Sequence, residues 1–268
     1  MLTEFQKKFL EKLQISLEEN LQFDTLHRIL FQMAHLFPYE NIDVMEKRTQ
    51  KISRNTIEKK LLLSNRGGLC YELNSLLYYF LRDSGFKVYR VAGTLYNPKI
   101  SKWKPDDGHV IIIIEHKDNN YILDSGFASY LPLHPVPFNG EIIASSTGEY
   151  RVRKQITSKG THVLEMRKGK NGETTNFLDS EHTDNWSIGF AFSLEEINEE
   201  KVNKIQEMII NHPESPLNKG YIICKLVKNG HISLTKQNFT RTEYGNKTKE
   251  EISAKQYREI LQTEFRIL

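Results

Sequence analysis

The chain has 268 residues, a formal net charge of +3 and a hydrophobic content of 38%. A chain of this length can bury a sizeable core, as one large domain or as two to three small ones. Its 37 basic residues nearly balance its 34 acidic residues, which argues against a dedicated nucleic-acid-binding protein, because such proteins carry a marked excess of positive charge.

The N-terminal segment carries charged residues such as Glu4 and Lys7 among its apolar residues, so we predict that it is not a signal peptide. The longest apolar run, Val110–Ile114, is too short to span a bilayer, which requires about 20 residues. Cys70 and Cys224 are too far apart in the sequence to suggest a disulfide framework, and a reducing compartment is expected. We therefore expect a soluble cytoplasmic protein with no membrane partner, either monomeric or weakly self-associating.

Residues 1–85 are predicted to be helical. The Thr3–Gln6 segment resembles a capping box that precedes one apolar helical face. Asp24 is placed to cap a second helix, which ends before Pro38 because proline disfavours the helical conformation in the preceding residue. A third helix, at about residues 55–63, leads into a glycine-rich loop.

The pattern changes at Phe86, and residues 86–190 are predicted to form a β-rich barrel or sandwich. Residues 87–94 have a β-like composition, and the β-branched run Val110–Ile114 is typical of a strand buried on both faces. A turn is expected at residues 118–120, followed by a return strand over residues 121–124. Further short strands are predicted at residues 150–156 and 162–167.

Residues 191–268 mix both types. Ser193 with Glu196 is predicted to cap a helix, and Thr248 with Glu251 is predicted to cap the final helix. Between these helices, Asn229-Gly230 is a turn signal that favours a hairpin. Cys224 lies inside an apolar run of this hairpin, which indicates a packing residue.

The glycine-rich loop after the third predicted helix ends in a candidate nucleophile. Apolar residues recur at helical spacing after Tyr71, and Ser84-Gly85 ends the pattern. Cys70 therefore lies at or just before a helix N-terminus, directly after Gly67 and Gly68, which allow a sharp turn. The helix dipole and unpaired N–H groups there favour the thiolate. The alternative is a buried cysteine with no chemical role.

A nucleophilic cysteine needs a base, and the base needs an orienting acceptor. His109 opens one predicted strand and Asp124 closes the next, so a hairpin that turns near residues 116–118 places them opposite each other. We therefore predict a Cys70-His109-Asp124 triad, with the backbone N–H groups of Cys70 and Tyr71 as oxyanion donors. Alone, His109 would be interpreted as a solvated strand-end histidine and Asp124 as a turn residue.

The remaining histidines lack such a pairing and are interpreted as solvent or core residues: His27, His35, His116, His134, His162, His182, His212 and His231. No Cys or His near Cys70 has zinc-like spacing, so no metal is expected. Residues 168–172 (KGKNG) lack the phosphate-loop pattern and are predicted to form a solvated turn. A buried Arg66 would need a carboxylate partner, either Glu40 or Glu72.

The same residues resemble a known family. Arg66–Asn74 (RGGLCYELN) resembles the R-G-G-x-C-x-E-x-N signature of the arylamine N-acetyltransferases, and Phe37–Asp43 resembles their F-P-[FY]-E-N-[LI]-D segment. His109 and Asp124 match the catalytic His and Asp of the family. Two departures are visible: Ala128 replaces the glycine common in D-x-G-F-G, and Leu217 replaces the phenylalanine of an S-P-x-S-x-F element.

The resemblance implies an α+β fold with a cysteine-protease-like core. It divides the chain into a helical bundle carrying the cysteine (1–85), a β-barrel carrying His and Asp (86–190) and an α/β lid (191–268). It implies ping-pong transfer of an acetyl group from acetyl-CoA, as cosubstrate, to an arylamine, hydrazine or N-hydroxyarylamine, and hence a role in xenobiotic metabolism. Phe127 matches a family position that lines the acceptor pocket.

Two other classes of function fit the same residues. A hydrolase or amide synthase could use the triad on a different acyl donor. A binding protein could keep the scaffold without chemistry, in which case Cys70 would react no faster than an ordinary thiol.

Overall fold

The computed structural model describes residues 1–167 and 186–267. The 168–172 segment and His182 lie outside these described residues. In the first third the elements are α1 (Glu4–Lys12), a 3-10 helix (Phe23–Thr25), α2 (Leu26–Leu36), strand β1 (Tyr39–Glu40), α3 (Ile42–Met45), α4 (Arg54–Ile57), a π-helix (Glu58–Leu63) and α5 (Cys70–Asp83).

The helix signals of the first third are only partly confirmed. Thr3 and Gln6 form the predicted capping box at the start of α1. The prediction for Asp24 is wrong, because this residue lies inside the 3-10 helix and Thr25 is the N-cap of α2. The helix predicted near residues 55–63 is present, but its second half is wound as a π-helix.

The middle third supplies most of a nine-stranded antiparallel sheet that curls into a nearly closed barrel. Its strands are β2 (Lys87–Asn97), β3 (Lys102–Trp103), β4 (His109–His116), β5 (Asn119–Leu123), β6 (Val136–Pro137), β7 (Ile143–Ser145), β8 (Gly148–Thr157), β9 (Gly160–Arg167) and β10 (Ser187–Glu196). The strand order is β6-β5-β4-β2-β10-β9-β8-β7, and β3 pairs with β2.

Strand β4 packs against a different hydrophobic core on each of its two faces. Val110, Ile112 and Ile114 pack into the helical core, whereas Ile111 and Ile113 face the barrel core. All five side chains are fully buried, as the continuous β-branched run predicts for a strand covered on both faces. His109, at the start of β4, is therefore placed where the two cores meet.

The hairpin of β4 and β5 has a different register from the one we predicted. Ile112 pairs with Leu123 and His116 pairs with Asn119, so the turn residues are Lys117 and Asp118. In this register Asp124 would lie opposite Ile111 rather than His109. The chain leaves the sheet after Leu123, and this departure allows the Asp124 side chain to reach His109.

The last third contains helices α6 (Glu199–Asn211) and α7 (Ala254–Thr263), a 3-10 helix (Pro216–Asn218), and strands β11 (Ile223–Val227), β12 (Gly230–Leu234), β13 (Asn238–Glu243) and β14 (Asn246–Glu251). Both predicted caps are wrong. Ser193 and Glu196 belong to β10, and Asn198 caps α6. Thr248 and Glu251 belong to β14, and Ser253 caps α7.

The four C-terminal strands form one sheet with β1, in the order β1-β11-β12-β13-β14. Tyr39 pairs with Cys224 of β11, and it also bridges to Gly68 of the cysteine loop. The predicted boundary at residue 190 falls within β10, so we propose placing it after Glu196. No helix in the described ranges is long and apolar enough to cross a membrane.

The β4–β5 turn generates a stability prediction. Lys117 and Asp118 both have positive φ, +48° and +59°, which non-glycine residues adopt at a cost of about 1–2 kcal/mol. Asp118→Gly should raise the free energy of unfolding by about 0.5–1 kcal/mol, because two-residue hairpin turns favour glycine there. Urea unfolding measures this gain.

Glu141→Gly is the matched control for this change. Glu141 is exposed and does not have a positive φ, so glycine there should only increase the entropy of the unfolded chain. Equal losses of stability in the two variants would contradict the interpretation of the turn.

Candidate active site

Cys70 is the first residue of α5, and the loop before it approaches other parts of the chain very closely. A Cβ atom on Gly67 would overlap the carbonyl oxygen of Pro38, and one on Gly68 would lie 2.7 Å from Oε2 of Glu72. Any side chain at these positions would displace the helix start. Gly67 is therefore required by the close approach of the Pro38 backbone, and Gly68 by the close approach of the Glu72 side chain.

Glu72 holds the start of α5. Its Oε2 accepts the Leu69 N–H at 2.9 Å, and its Oε1 accepts from Nζ of Lys60 at 2.6 Å. Lys60 also pairs with Asp43 at 2.8 Å. Burial lowers the pKa of Lys60, but the charge of Glu72 and neighbouring carboxylates outweighs it, so that the pKa lies above its usual value. Lys60 therefore stays charged and neutralises the capping carboxylate.

Arg66 is tied to the upstream motif. Its Nη2 donates to Oε1 of Glu40 at 2.8 Å and to Oδ1 of Asp43 at 2.9 Å. The other Glu40 oxygen accepts the Ile42 N–H at 2.7 Å. Of the two predicted partners of Arg66, Glu40 is the one observed, whereas Glu72 pairs with Lys60.

His109 and Asp124 are brought together in a buried pair. The His109 Nε2 lies 2.6 Å from Oδ2 of Asp124, and each residue is only 1% exposed. Such a short distance indicates a charge-assisted hydrogen bond, which is shorter than a neutral one. The pair is shielded from water, so its electrostatic interaction is stronger than it would be at the surface.

Cys70 reaches the same place from the helix. Its side chain lies close enough to His109 to raise the pKa of the imidazole, and its Sγ lies 3.9 Å from the Gly108 carbonyl oxygen. On the other side, a Cβ atom on Gly126 would lie 2.5 Å from Cα of Cys70. The three side chains predicted from the sequence thus meet at one buried point, although the hairpin register differs.

The electrostatics favour a protonated imidazole. Burial lowers the pKa of His109, but the charge of Asp124 and its hydrogen bond outweigh burial, with a further contribution from Cys70, and the pKa rises to about 10. Asp124 can therefore stabilise an imidazolium at neutral pH.

Aromatic rings border the histidine. The Phe127 ring centroid lies 5.2 Å from that of His109, and the Phe190 centroid lies 5.1 Å from it. Phe127 is 8% exposed, whereas Phe190 is fully buried in β10. Sequence reasoning missed Phe190, because only the pairing of β10 with β2 brings it close. The pattern carried no signal for it.

The two departures from the family pattern are both accommodated. Ala128 adopts a φ of +52°, the left-handed conformation that glycine adopts more readily. Leu217 lies in the 3-10 helix after α6 and packs against the helical core. Its carbonyl oxygen accepts the Asn41 side chain at 2.8 Å, which ties this segment to the upstream motif.

The start of α5 offers backbone donors next to the thiol. The N–H groups of Glu72 and Leu73 donate to the Leu69 carbonyl oxygen, so helical bonding begins after Tyr71. The N–H groups of Cys70 and Tyr71 come before this first turn, where helix N–H groups lack intrahelical partners.

The second cysteine has no such surroundings. Cys224 is a free, buried thiol in β11, and burial raises its pKa to about 12. It therefore stays protonated and packs as a small apolar residue, as predicted. Within residues 1–167 and 186–267, no three His, Cys, Asp or Glu residues are grouped to hold a metal ion.

A cavity of about 640 Å³ lies beside the loop that leads into His109. Two ion pairs tie this loop to its surroundings: Lys201 to Asp107 at 2.6 Å, and Lys159 to Asp106 at 2.7 Å. The walls also carry Glu195 and Glu196, so acidic groups outnumber basic ones there.

Comparison with known proteins places this geometry in a family. Residues 22–268 match the N-acetyltransferase family. The chain is 53% identical to arylamine N-acetyltransferase C of Bacillus anthracis, with all of both chains covered and a TM-score of 0.93. It is 45% identical to a Bacillus cereus arylamine N-acetyltransferase described as having a unique Cys-His-Glu catalytic triad, with 99% of each chain covered and a TM-score of 0.92.

Among curated relatives, the chain is 34% identical to the uncharacterized acetyltransferase YvcN of Bacillus subtilis, covering 92% of each chain. It is 30% identical to the probable arylamine N-acetyltransferase 2 of Dictyostelium discoideum, over 93% of this chain and 87% of that relative. With a family match over nearly its whole length and these relatives, the chain belongs to the arylamine N-acetyltransferases, which are acyltransferases.

Proposed function

We propose that this protein transfers an acetyl group from acetyl-CoA to an arylamine, hydrazine or N-hydroxyarylamine by a ping-pong mechanism. The observation that carries the proposal is the meeting of Cys70, at a helix start, with the hydrogen-bonded His109–Asp124 pair. Nucleophile, base and orienting acceptor are the three parts that covalent acyl transfer requires.

In the first half-reaction, His109 holds the proton of the Cys70 thiol and the sulfur attacks the acetyl carbonyl carbon. The bond from that carbon to the coenzyme A sulfur breaks, and His109 returns the proton to the leaving thiolate. The product is an acetyl thioester on Cys70. The N–H groups of Cys70 and Tyr71 lie where they can stabilise the oxyanion.

In the second half-reaction, the acceptor nitrogen or oxygen attacks the thioester while His109 removes its proton. The Cys70 thiolate then leaves, which regenerates the pair of charges. Asp124 orients the imidazole and compensates its charge, without carrying the proton itself. Phe127, the most exposed ring next to His109, is proposed to contact the acceptor.

Relatives support both substrates. A Mycobacterium marinum arylamine N-acetyltransferase has been solved in complex with CoA. A Salmonella typhimurium relative, 28% identical over 83% of this chain, is an arylamine N-acetyltransferase and N-hydroxyarylamine O-acetyltransferase. The free thiols are consistent with a reducing compartment, and we propose a cytoplasmic location.

Cys70 should form the acetyl-enzyme. Incubation with acetyl-CoA and no acceptor should add one acetyl group to the wild type, detected by intact mass spectrometry, and none to Cys70→Ala. Adding an arylamine should release the acetylated amine. An adduct that persists in Cys70→Ala would rule out this nucleophile, and release of acetate alone would indicate a hydrolase.

Asp124→Asn should keep the fold but lower the acylation rate by about 10²–10⁴-fold, because an amide mis-sets the histidine tautomer and removes the charge. Asp124→Glu is the matched variant that keeps the charge, and it should retain much more activity, as the Cys-His-Glu relative suggests. Stopped-flow acylation measures both rates. Near-normal turnover in Asp124→Asn would show that another group orients His109.

His109 should be an imidazolium at pH 7.5, because its pKa is raised to about 10. Its protonation can be followed by NMR of histidine-labelled protein, with assignment from His109→Gln. His231, whose pKa burial lowers to about 4, is the neutral internal reference. A neutral His109 at pH 7.5 would contradict this electrostatic picture.

The same shift predicts how stability depends on pH. An unfolded histidine loses its proton near pH 6.5, so between about 6.5 and 10 only the folded chain holds the proton. The stabilisation from the pair is therefore complete below pH 6.5 and is lost as the pH rises towards 10. Urea unfolding across this range should show the loss in the wild type and much less of it in His109→Gln.

A further inference from the structure

Asn74 lies beside the predicted triad, and its side chain bonds directly to Asp124. It lies four residues after Cys70 on α5, so it projects from the same face of the helix. Its Nδ2 donates to Oδ1 of Asp124 at 2.8 Å and to the Val110 carbonyl oxygen at 2.7 Å. Its Oδ1 accepts from both the backbone N–H and the hydroxyl of Ser125, each at 2.8 Å.

The amide of Asn74 therefore has two donor bonds and two acceptor bonds, and the residue is fully buried. Its orientation is fixed, because a flipped amide would point an N–H at the Ser125 N–H and an oxygen at the Asp124 carboxylate. Ser125 contributes to this choice through its hydroxyl.

As a consequence, the two carboxylate oxygens of Asp124 accept hydrogen bonds from different donors. Oδ1 accepts from Asn74 and from the Gly126 N–H at 2.8 Å, whereas Oδ2 accepts only from His109 among the bonds described here. A carboxylate held in this way cannot rotate to offer the other oxygen to the imidazole. Because Asn74 and Cys70 share one helix, the same amide also sets the position of the thiol relative to the pair.

We propose that Asn74, locked by Ser125, is a positioning residue that fixes the Asp124 carboxylate for His109 and sets the distance from Cys70 to that pair. This proposal builds on the proposed function but concerns the geometry of the free enzyme, so readouts without any acyl donor can test it. The ionisable groups that the Asp124 charge influences, from the surrounding elements, are Tyr39, His109 and Tyr150.

The decisive variants are Asn74→Ala and Asn74→Asp. In Asn74→Ala the carboxylate loses its clamp, so the downfield proton signal expected from the short His109 N–H bond should shift or broaden. Alkylation of Cys70 by iodoacetamide and acylation by acetyl-CoA should each slow by at least tenfold. The loss should appear in kcat rather than in KM for the acceptor, because Asn74 is too deeply buried to contact it.

Asn74→Asp keeps the shape but replaces the donor with a carboxyl group beside Asp124. When protonated, it can still donate to Asp124; when ionised, the two like charges repel. Its activity relative to the wild type should therefore fall as the pH rises from 6 to 8. A residue that acted only in packing would not produce this pH profile.

Asn203→Ala and Asn203→Asp are the matched controls. Asn203 is also a buried helical asparagine, bonded to the backbone of Ile52 and to the Glu199 carbonyl oxygen, away from the triad. These variants should lower the melting temperature without changing the His109 signal. Ser125→Ala removes one bond to Asn74 and should slow alkylation by about two- to fivefold, which keeps the test valid even if Asn74→Ala fails to fold.

The outcomes separate the two proposals. An unchanged His109 signal and an unchanged alkylation rate in folded Asn74 variants would overturn the positioning role. If the Asn74 variants alter both readouts but the wild type acetylates no arylamine, hydrazine or N-hydroxyarylamine, the positioning role stands and the proposed substrates are wrong.

Discussion

The site depends on the close approach of the α5 start to the turn after β5. A Cβ atom on Gly126 would lie 2.5 Å from Cα of Cys70, so the two backbones are in contact with no side chain between them. Gly67, in the loop before the helix, permits a similarly close approach to the Pro38 backbone. These contacts let the thiol on a helix and the carboxylate at a strand end share one imidazole, which neither element could hold alone.

Two separate sets of buried and half-buried charges surround the helix start. On one side, His109 and Asp124 form the pair that faces the thiol. On the other side, Lys60 and Arg66 neutralise the carboxylates that cap the helix and anchor the loop. A buried charge is costly unless it is paired. Within each set, every carboxylate has a positively charged partner. The capping carboxylate Glu72 therefore has its own counter-charge, Lys60, beside the cysteine.

Local sequence patterns correctly predicted those helices and strands whose conformation follows from their own residues. The apolar spacing of α5 and the β-branched run of β4 are examples. The caps predicted at Ser193 and Thr248 were wrong because pairing with β2 and β13 outweighed local signals. The three residues predicted as a triad do lie together, although the predicted register was off by two positions, because the chain leaves the sheet after Leu123 and the Asp124 side chain reaches back to His109. No sequence pattern indicated that Lys60 and Phe190 belong to the site, because only tertiary packing brings them there.

The short strand β1 has a consequence for the order in which the enzyme matures during synthesis. Tyr39 bridges to Gly68 beside the nucleophile, and it also pairs with Cys224. Because a chain emerges from the ribosome N-terminus first, the segment that steadies the cysteine loop waits for a partner made more than 150 residues after that loop. A nascent chain thus carries its thiol, histidine and carboxylate before the strand that pairs with Tyr39 has been made.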